Sequence, residues 1–316
     1  LNGLAQSSGW PNNGRLMASW FSTKERGVVM VWWGTCYQVG GIAAVLFSAK
    51  LLAVSGSWRV AYIGPALWVA VVGLAVFLLV RDRPVDVGLA NPDPDLEYER
   101  LTESRTGARL RAWKHVLKHP FVWCLGGNYF CLKLTRYALL FWLPFYLDKN
   151  LGYEPAQAGD MSTSFEIGGV VGVIASGLLA DKVFGKRRVA VATVGVAFLA
   201  AALGLYGEVA EQGMVANFTA MMLVGAFLFG PDSWVSGALA QDVGGPRAAA
   251  LACGVVNGFG SIGAVLQGYL VVAISDAYGW DGLFVFFQLV AVAGALFLLP
   301  YFFVRPAHAS DDAEAA

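Results

Sequence analysis

Long uncharged runs of apolar residues alternate with short charged segments along most of this chain. A helix needs about 20 predominantly apolar residues to cross a bilayer. Six uncharged stretches reach or approach that length: residues 27–49, 60–80, 189–207, 212–231, 248–275 and 282–304. The fourth is expected to continue past Asp232 to about residue 241. The pattern therefore predicts membrane-spanning helices.

Three further apolar stretches carry charges inside them. They are residues 1–22, with Arg15; residues 120–147, with Lys133 and Arg136; and residues 157–180, with Asp160 and Glu166. Together with the uncharged runs they predict nine spans in an all-α membrane protein. The only long polar segment, residues 81–118, is expected to form a charged linker that ends in a basic amphipathic piece.

Composition points the same way and excludes several classes of protein. Apolar residues make up 57% of the chain and charged residues 14%, against about 25% charged in soluble domains. The net charge is zero, so no overall basic field favours nucleic acid. No nucleophile–base constellation and no metal-spaced cluster is present in the sequence, which argues against an enzyme, a metal site or a cofactor. The expected partner is the lipid bilayer.

The distribution of Lys and Arg predicts the orientation of the spans, because cytoplasmic loops are enriched in both. Alternate loops hold most of these cations, whereas the opposite loops hold only Lys50, Arg59 and Lys149. The linker and the C-terminus are therefore expected to be cytoplasmic. The acidic tail, residues 306–316, is expected to be disordered.

An internal repeat is visible at an offset of 222 residues. Residues 41–58 align without a gap to residues 263–280, and each segment runs from a Gly to a Trp. The repeat predicts two six-helix halves joined by a linker, and it leads us to expect about three further helices ahead of this chain. Residues 1–81 then form the end of the first half (helices 4–6), 82–118 the cytoplasmic linker, and 119–305 the second half (helices 7–12).

Arg136 is the most informative single residue, because a charge inside a span is costly unless it is paired or hydrated. Lys133, Arg136 and Tyr137 share one helical face by their spacing. Such a face favours an anion, and the guanidinium fork matches phosphate oxygens. The alternative is a structural ion pair between Arg136 and Glu166 or Asp232.

Several other polar residues are candidates for the same cavity. Asn257 and Gln267 either face it or form hydrogen bonds between helices. Asp232 follows a Gly-Pro pair that is expected to break its helix. Glu166 could be a counter-ion to the cations or a proton carrier, and Asp232 shares that second role.

The segment GLLADKVFGKRR, residues 177–188, resembles the loop signature of the major facilitator superfamily, with one extra residue before Gly185. Gly177 is expected to allow close approach of two helices. Asp181 lies at a membrane boundary, where an Arg or Lys can pair with it and break away when the transporter opens. Lys182 and Arg187 belong to the same gating loop; the alternative is a plain positive-inside loop.

A narrower resemblance, to the organophosphate:phosphate antiporter family, runs in order over essentially the whole chain. It rests on four segments: NGLAQSSGWPNNGRLMASWFSTKERG (residues 2–27), VRDRPVDVGL (80–89), LTRYALLFWLPFYL (134–147) and FEIGGVVG (165–172). The resemblance implies the major facilitator fold, with helices 4–12 of an expected 12 present here.

The same resemblance implies roles for individual residues. Arg136 matches an arginine that contacts substrate phosphate, and Trp10 and Trp33 match tryptophans near the site. Tyr37 stands where some members have a histidine that assists binding, and Lys133 stands where they have a tyrosine. The family's other phosphate-binding arginine belongs to a first helix that is not in this sequence.

We therefore expect a multi-pass protein of a bacterial inner or plasma membrane, a monomer, that exchanges a phosphorylated organic solute for inorganic phosphate. Two rival functions stay open. One is proton-coupled symport of an organic anion or sugar, with Glu166 or Asp232 as the proton site. The other is a transporter-like sensor of a phosphorylated sugar.

Overall fold

A computed structural model describes residues 9–22, 29, 33–90, 92, 113–184 and 187–303, with a few side chains inside these ranges left undescribed. Every regular element in the described part of the chain is helical. Four expectations lie outside it, in whole or in part: the tail 306–316, much of the linker, and the side chains of Trp10 and Asp181.

The helices follow the apolar runs closely. They are α1 (Gly9–Trp20), α2 (Cys36–Ser55), α3 (Trp58–Leu79), α4 (Pro120–Lys149), α5 (Pro155–Lys182), α6 (Arg188–Ala210), α7 (Met214–Ser233) and α8 (Leu239–Leu298). Residues 113–118 form a further short helical segment at the end of the linker. Pro120 and Pro155 stand in the first turns of α4 and α5, where the missing N–H has no helical partner to lose.

Six segments of the described residues are long and apolar enough to cross a membrane. Five lie within α2, α3, α5, α6 and the stretch Met214–Gly244, and the sixth is Ala248–Tyr301, with 54 residues. Helix α3 has no buried residue, as expected of a helix whose apolar surface faces lipid. The predicted number of nine spans is not confirmed, since α1 is short and α4 carries Lys133 and Arg136.

The longest helical element, α8, is folded back on itself. Asn257 accepts a hydrogen bond from Lys133, and the carbonyl of Gly294 accepts one from Asn128. These two partners on α4 lie about 7.5 Å apart along its axis, whereas 37 residues of straight helix would span about 55 Å. The chain therefore reverses between residues 257 and 294, which agrees with two predicted spans, 248–275 and 282–304.

A left-handed glycine marks that reversal and its counterpart in the repeat. Gly279 has φ +69° just before Trp280, and Gly56 has φ +64° two residues before Trp58. The Gly56 N–H also closes the end of α2 by donating to the carbonyl of Leu52, as glycine C-caps commonly do. At the predicted offset of 222 residues Gly56 aligns with Tyr278, so the two left-handed glycines stand one position apart in the aligned segments.

Helices α5 and α7 pack through glycine contacts. A Cβ at Gly168 or Gly172 would collide with the carbonyl oxygens of Met222 or Ala226 on α7. Such small-residue spacing lets two membrane helices approach closely. At Gly177, in contrast, a Cβ would meet nothing within 4 Å among the described residues, so the close approach seen on this helix occurs earlier, at Gly168 and Gly172.

The Gly230–Pro231 pair distorts α7 without ending it. Pro231 lies inside the helix, and a π-helical turn, Trp234–Ala238, follows directly before α8 begins. Proline removes one backbone donor, and the π turn absorbs an extra residue in the same region. The break expected near Asp232 is therefore a local widening of a continuous helix.

The segment that follows α3 is tied to α1. Trp20 Nε1 donates to the carbonyl of Arg81 at 2.9 Å, and Ser19 Oγ donates to the carbonyl of Asp82 at 2.7 Å. These bonds fix the chain that leaves α3 against the end of α1. At its other end, the linker packs through Val116, which is fully buried.

Candidate substrate-binding site

One face of α4 carries the polar residues that the spacing placed together. Lys133 Nζ lies 5.1 Å from the ring centroid of Tyr129 and 6.0 Å from that of Tyr137. The guanidinium of Arg136 lies 5.9 Å from the Tyr137 ring. Both cations are more than nine-tenths buried, so the helix holds two positive charges and two phenols in the interior of the helical bundle.

Three aromatic rings surround the Arg136 guanidinium. The nearest is Phe229 of α7, with its centroid 4.5 Å from the central carbon, followed by Tyr37 of α2 at 5.4 Å and Tyr137. Arginine is attracted to aromatic faces in this range. Tyr37 belongs to α2 and Phe229 to α7, so Arg136 of α4 lies where these three helices meet.

Arg136 also forms an ion pair with Asp232. Nη1 lies 3.3 Å from Oδ2, and both side chains are about nine-tenths buried. The contact is longer than the usual 2.7–2.9 Å of a charge-assisted hydrogen bond. Within the described part of the structure, Nε of Arg136 and Oδ1 of Asp232 have no hydrogen-bond partner. The fork of Arg136 is thus engaged on one side only.

Lys133 has a different partner. Its Nζ donates to Oδ1 of Asn257, on α8, at 2.7 Å. This bond orients the ammonium, but it brings no negative charge, since the Asn257 amide is neutral. Helix α8 can approach because Gly260 and Gly263 leave room beside Tyr129 and the backbone of Phe130.

Glu166 lies at the edge of this group, on α5. Its carboxyl carbon is 3.9 Å from the place where a Cβ on Gly41 of α2 would stand, and its Oε2 has no hydrogen-bond partner among the described residues. It lies within electrostatic reach of Arg136. Of the two carboxylates that the sequence offered as ion-pair partners, Asp232 makes the direct contact and Glu166 acts from farther away.

The remaining sequence candidates are distributed around this site or away from it. Trp33 is half-buried just before α2, and Gln267 is buried on α8. The residues of the predicted gating loop lie farther along α5, because Gly177 and Asp181 follow Glu166 by 11 and 15 residues on the same helix. Lys182 is exposed and Arg187 is half-buried.

An ion pair that was not predicted from the sequence lies at the end of the loop segment 177–188. Arg188 Nη1 lies 3.2 Å and 3.0 Å from the two carboxylate oxygens of Asp242, on α8. The guanidinium also lies 5.7 Å from the ring of Trp234, in the π turn. This pair joins the start of α6 to the segment that follows α7.

Phe229 and Tyr129 were also missed. Tyr129 stands four residues before Lys133, so helical spacing alone could have added it to the face. Phe229 stands three residues before Asp232 on α7, and it could have been proposed only if that helix had already been placed opposite Arg136.

Chemically, the described residues bring together more positive than negative charge in direct contact, an arrangement that can attract an anion. Two buried cations are balanced by one directly paired carboxylate, and half of the guanidinium fork is unused. Aromatic rings cover this region and lower the local dielectric, which strengthens a charge–charge contact. In the residues that the structure describes, no group of three or more His, Cys, Asp or Glu is arranged to hold a metal.

Comparison with known proteins gives a consistent result. The sequence model of the Major Facilitator Superfamily matches residues 1–231 and 125–316. Similar curated proteins include sugar phosphate exchanger 3 of Gallus gallus, which is 30% identical over 95% of this chain and 65% of its own length. A putative glycerol-3-phosphate transporter of Arabidopsis thaliana is 31% identical over 94% of this chain and 63% of its own length.

A glucose-6-phosphate exchanger of Danio rerio is 30% identical over 92% of this chain and 63% of its own length. The chain therefore spans slightly less than two thirds of the curated relatives that it matches. Their names agree with the resemblance to the organophosphate:phosphate antiporter family drawn from the four sequence segments.

Proposed function

Because this chain belongs to the Major Facilitator Superfamily, we propose that it exchanges a phosphorylated organic solute for inorganic phosphate by alternating access. The observation that carries this proposal is the pair of buried cations, Lys133 and Arg136, with half of the guanidinium fork of Arg136 unused. The names of the relatives, exchangers and transporters of phosphorylated solutes, support the same substrate class.

Phosphate suits this site better than a carboxylate or a neutral sugar. It offers at least three oxygens, so it can contact Arg136 by two parallel hydrogen bonds and still reach an ammonium with another oxygen. Lys133, held by Asn257, supplies that second cation. Tyr37 and Tyr137 line the approach and offer hydroxyl donors, and Trp10 and Trp33 belong to the same site by resemblance.

Exchange would follow from the cost of leaving the two cations without a bound anion. When the two halves reorient around a midplane site, the site is closed to both sides of the membrane. Uncompensated buried charge opposes that step. A bound phosphate neutralises the cations and permits it. In this scheme residues 1–81 and 119–305 belong to the two halves, and 82–118 is a cytoplasmic linker.

The topology and assembly are part of the proposal. The protein is a multi-pass membrane protein, with the linker and the C-terminus on the cytoplasmic side, and it works as a monomer. The loop at residues 177–188 acts as the cytoplasmic gate, with Asp181, Lys182 and Arg187 in it. It acts together with the Arg188–Asp242 pair.

One observation favours a second candidate function. Glu166 is half-buried beside α2, and its buried Oε2 has no hydrogen-bond partner among the described residues. Such a carboxylate could take up a proton when the halves separate, as a symporter of an organic anion or sugar would require. A membrane sensor of a phosphorylated sugar would use the same pocket to bind ligand without releasing it.

Counterflow in proteoliposomes separates these functions. The whole protein is reconstituted, the vesicles are loaded with inorganic phosphate, and uptake of labelled phosphate or of a labelled sugar phosphate is followed. Exchange predicts uptake only into phosphate-loaded vesicles, without an imposed pH gradient. Uptake that needs a pH gradient and no internal phosphate would support symport instead. Binding without any flux would support a sensor.

A further inference from the structure

The carboxylate of Asp232 occupies part of the site in which the proposed function puts the substrate. Its Oδ2 lies 3.3 Å from Nη1 of Arg136, while Nε of the same guanidinium has no hydrogen-bond partner among the described residues. A purely structural ion pair is most favourable when both oxygens and two nitrogens are hydrogen-bonded. Here the second oxygen, Oδ1, is buried and has no hydrogen-bond partner in the part of the chain that the structure describes.

The backbone around Asp232 is also unusual. The residue follows Pro231 and precedes the π-helical turn Trp234–Ala238 by two positions. Ser236 Oγ donates to the Asp232 carbonyl at 2.8 Å, so a side chain supplies a donor to this carbonyl within the widened turn. π turns recur at functional sites because they redirect one side chain within a helix. In this helix the widened turn lies next to the carboxylate that contacts Arg136.

The ionisable groups around Arg136 come from four helices. Helix α4 supplies two cations and two phenols, α7 supplies Asp232, α5 supplies Glu166 and α2 supplies a phenol next to a thiol. Among the described residues, these groups are Tyr129, Lys133, Arg136, Tyr137, Asp232, Glu166, Tyr37 and Cys36. The only carboxylate in direct contact with either cation, among the described residues, is Asp232. With Asp232 ionised, the two cations retain one positive charge between them.

We propose that Asp232 is a specificity-determining residue that shares Arg136 with the bound anion and limits the negative charge that the site accepts. The inference rests on the proposed function, since it concerns the charge of the ligand at that same site. The carboxylate repels a doubly charged anion more strongly than a singly charged one of the same shape. The site therefore selects the singly charged form of phosphate, and of phosphate esters, over a dianion.

The test compares two tetrahedral anions of different charge. At about pH 6, inorganic phosphate is mostly a monoanion, whereas sulfate is a dianion. Binding of each to the purified whole protein is measured by titration calorimetry, for wild type, Asp232→Asn and Asp160→Asn. Asp160 is an exposed aspartate on α5, so the control removes the same charge away from the site.

Wild-type protein and Asp160→Asn are expected to prefer phosphate to sulfate. In Asp232→Asn the preference should move toward sulfate by about tenfold or more, because one repulsive charge has been removed beside the ligand. An Asp232→Asn protein that still binds phosphate with an unchanged preference would overturn the inference. So would a folded Asp232→Asn protein that binds neither anion, since Asp232 would then only orient Arg136.

If Asp232→Asn does not fold, the Lys133→Gln protein is measured instead, and its preference is expected to shift in the opposite direction. With one cation fewer, the preference for phosphate over sulfate should increase, and an unchanged preference would overturn the inference. Failure of the proposed function itself is distinguishable, because wild-type protein would then bind neither phosphate nor sulfate.

Discussion

At Arg136 two kinds of contact compete for one guanidinium. The aromatic rings of Phe229, Tyr37 and Tyr137 surround it, while Asp232 contacts a single nitrogen at its edge. Removing one partner of a buried ion pair usually costs more than the pair contributes, because the other charge stays buried and unpaired. In an exchanger this cost would keep the empty site from reorienting. A bound phosphate would supply the negative charge that the buried cations otherwise lack.

Asn257 is expected to act through Lys133. Replacing Asn257 with Ala removes the acceptor 2.7 Å from the ammonium. Since a hydrogen bond to a charged group contributes about 1.5–3 kcal/mol, phosphate affinity should fall by about tenfold or more, measured as the KM of exchange. The matched control is Ser261→Ala, one turn along the same helix and exposed. Equal effects of the two changes would contradict this role.

Helical spacing predicts only the part of the site that belongs to one helix, whereas Asn257 and Tyr37 entered as separate candidates. Lys133, Arg136 and Tyr137 follow from helical spacing alone, and the structure has them on one face. The choice between Glu166 and Asp232 as the partner of Arg136 could not be made, because it depends on how α5 and α7 are placed around α4. The contact with Phe229 was missed for the same reason.

At the scale of the elements, small residues decide how close the helices come. Gly168 and Gly172 of α5 lie against the carbonyl oxygens of Met222 and Ala226 on α7, and this packing brings the helices that carry Glu166 and Asp232 close together. Close approach was expected at Gly177, because the loop signature contains that glycine. A signature identifies a position, but it does not say which face of the helix meets a neighbour.

Gly172→Ala is expected to destabilise the protein. The added Cβ would collide with a backbone carbonyl, which cannot rotate away as a side chain can, and overpacking of this kind costs about 1–3 kcal/mol. A lower midpoint in thermal unfolding of the detergent-purified protein would show it. Gly177→Ala is the control, since a Cβ there meets open space. A Gly172→Ala protein as stable as that control would contradict the packing described for α5 and α7.

At the scale of the whole molecule, the loop that carries the superfamily signature is joined to the region after α7 by the Arg188–Asp242 pair. Trp234, whose ring lies near Arg188, belongs to the π turn that begins two residues after Asp232. The substrate site and the loop are therefore connected along one short segment. The fold class and the division into apolar runs could be predicted because the bilayer imposes them on the sequence; this connection depends on tertiary contacts.

Reversing the Arg188–Asp242 pair tests its role as part of the gate. Arg188→Glu alone should slow exchange, because it sets two negative charges against each other. Adding Asp242→Arg should restore much of the rate, since the attraction is re-formed with opposite polarity. The measurement is the initial rate of phosphate exchange at equal protein levels in the vesicles. A double variant no faster than the single one would contradict a gating role for this pair.

The most direct test of the central claim is phosphate exchange by whole protein that carries Arg136→Lys. Lysine keeps the charge but lacks the planar fork that would hold two phosphate oxygens. The control is Arg59→Lys at the start of α3, where the arginine is exposed and lies over the ring of Trp58. We expect labelled phosphate uptake into phosphate-loaded vesicles to fall by about tenfold or more for Arg136→Lys and to stay unchanged for Arg59→Lys. Exchange at the wild-type rate by the Arg136→Lys protein would contradict the assignment of Arg136 as the phosphate-binding residue.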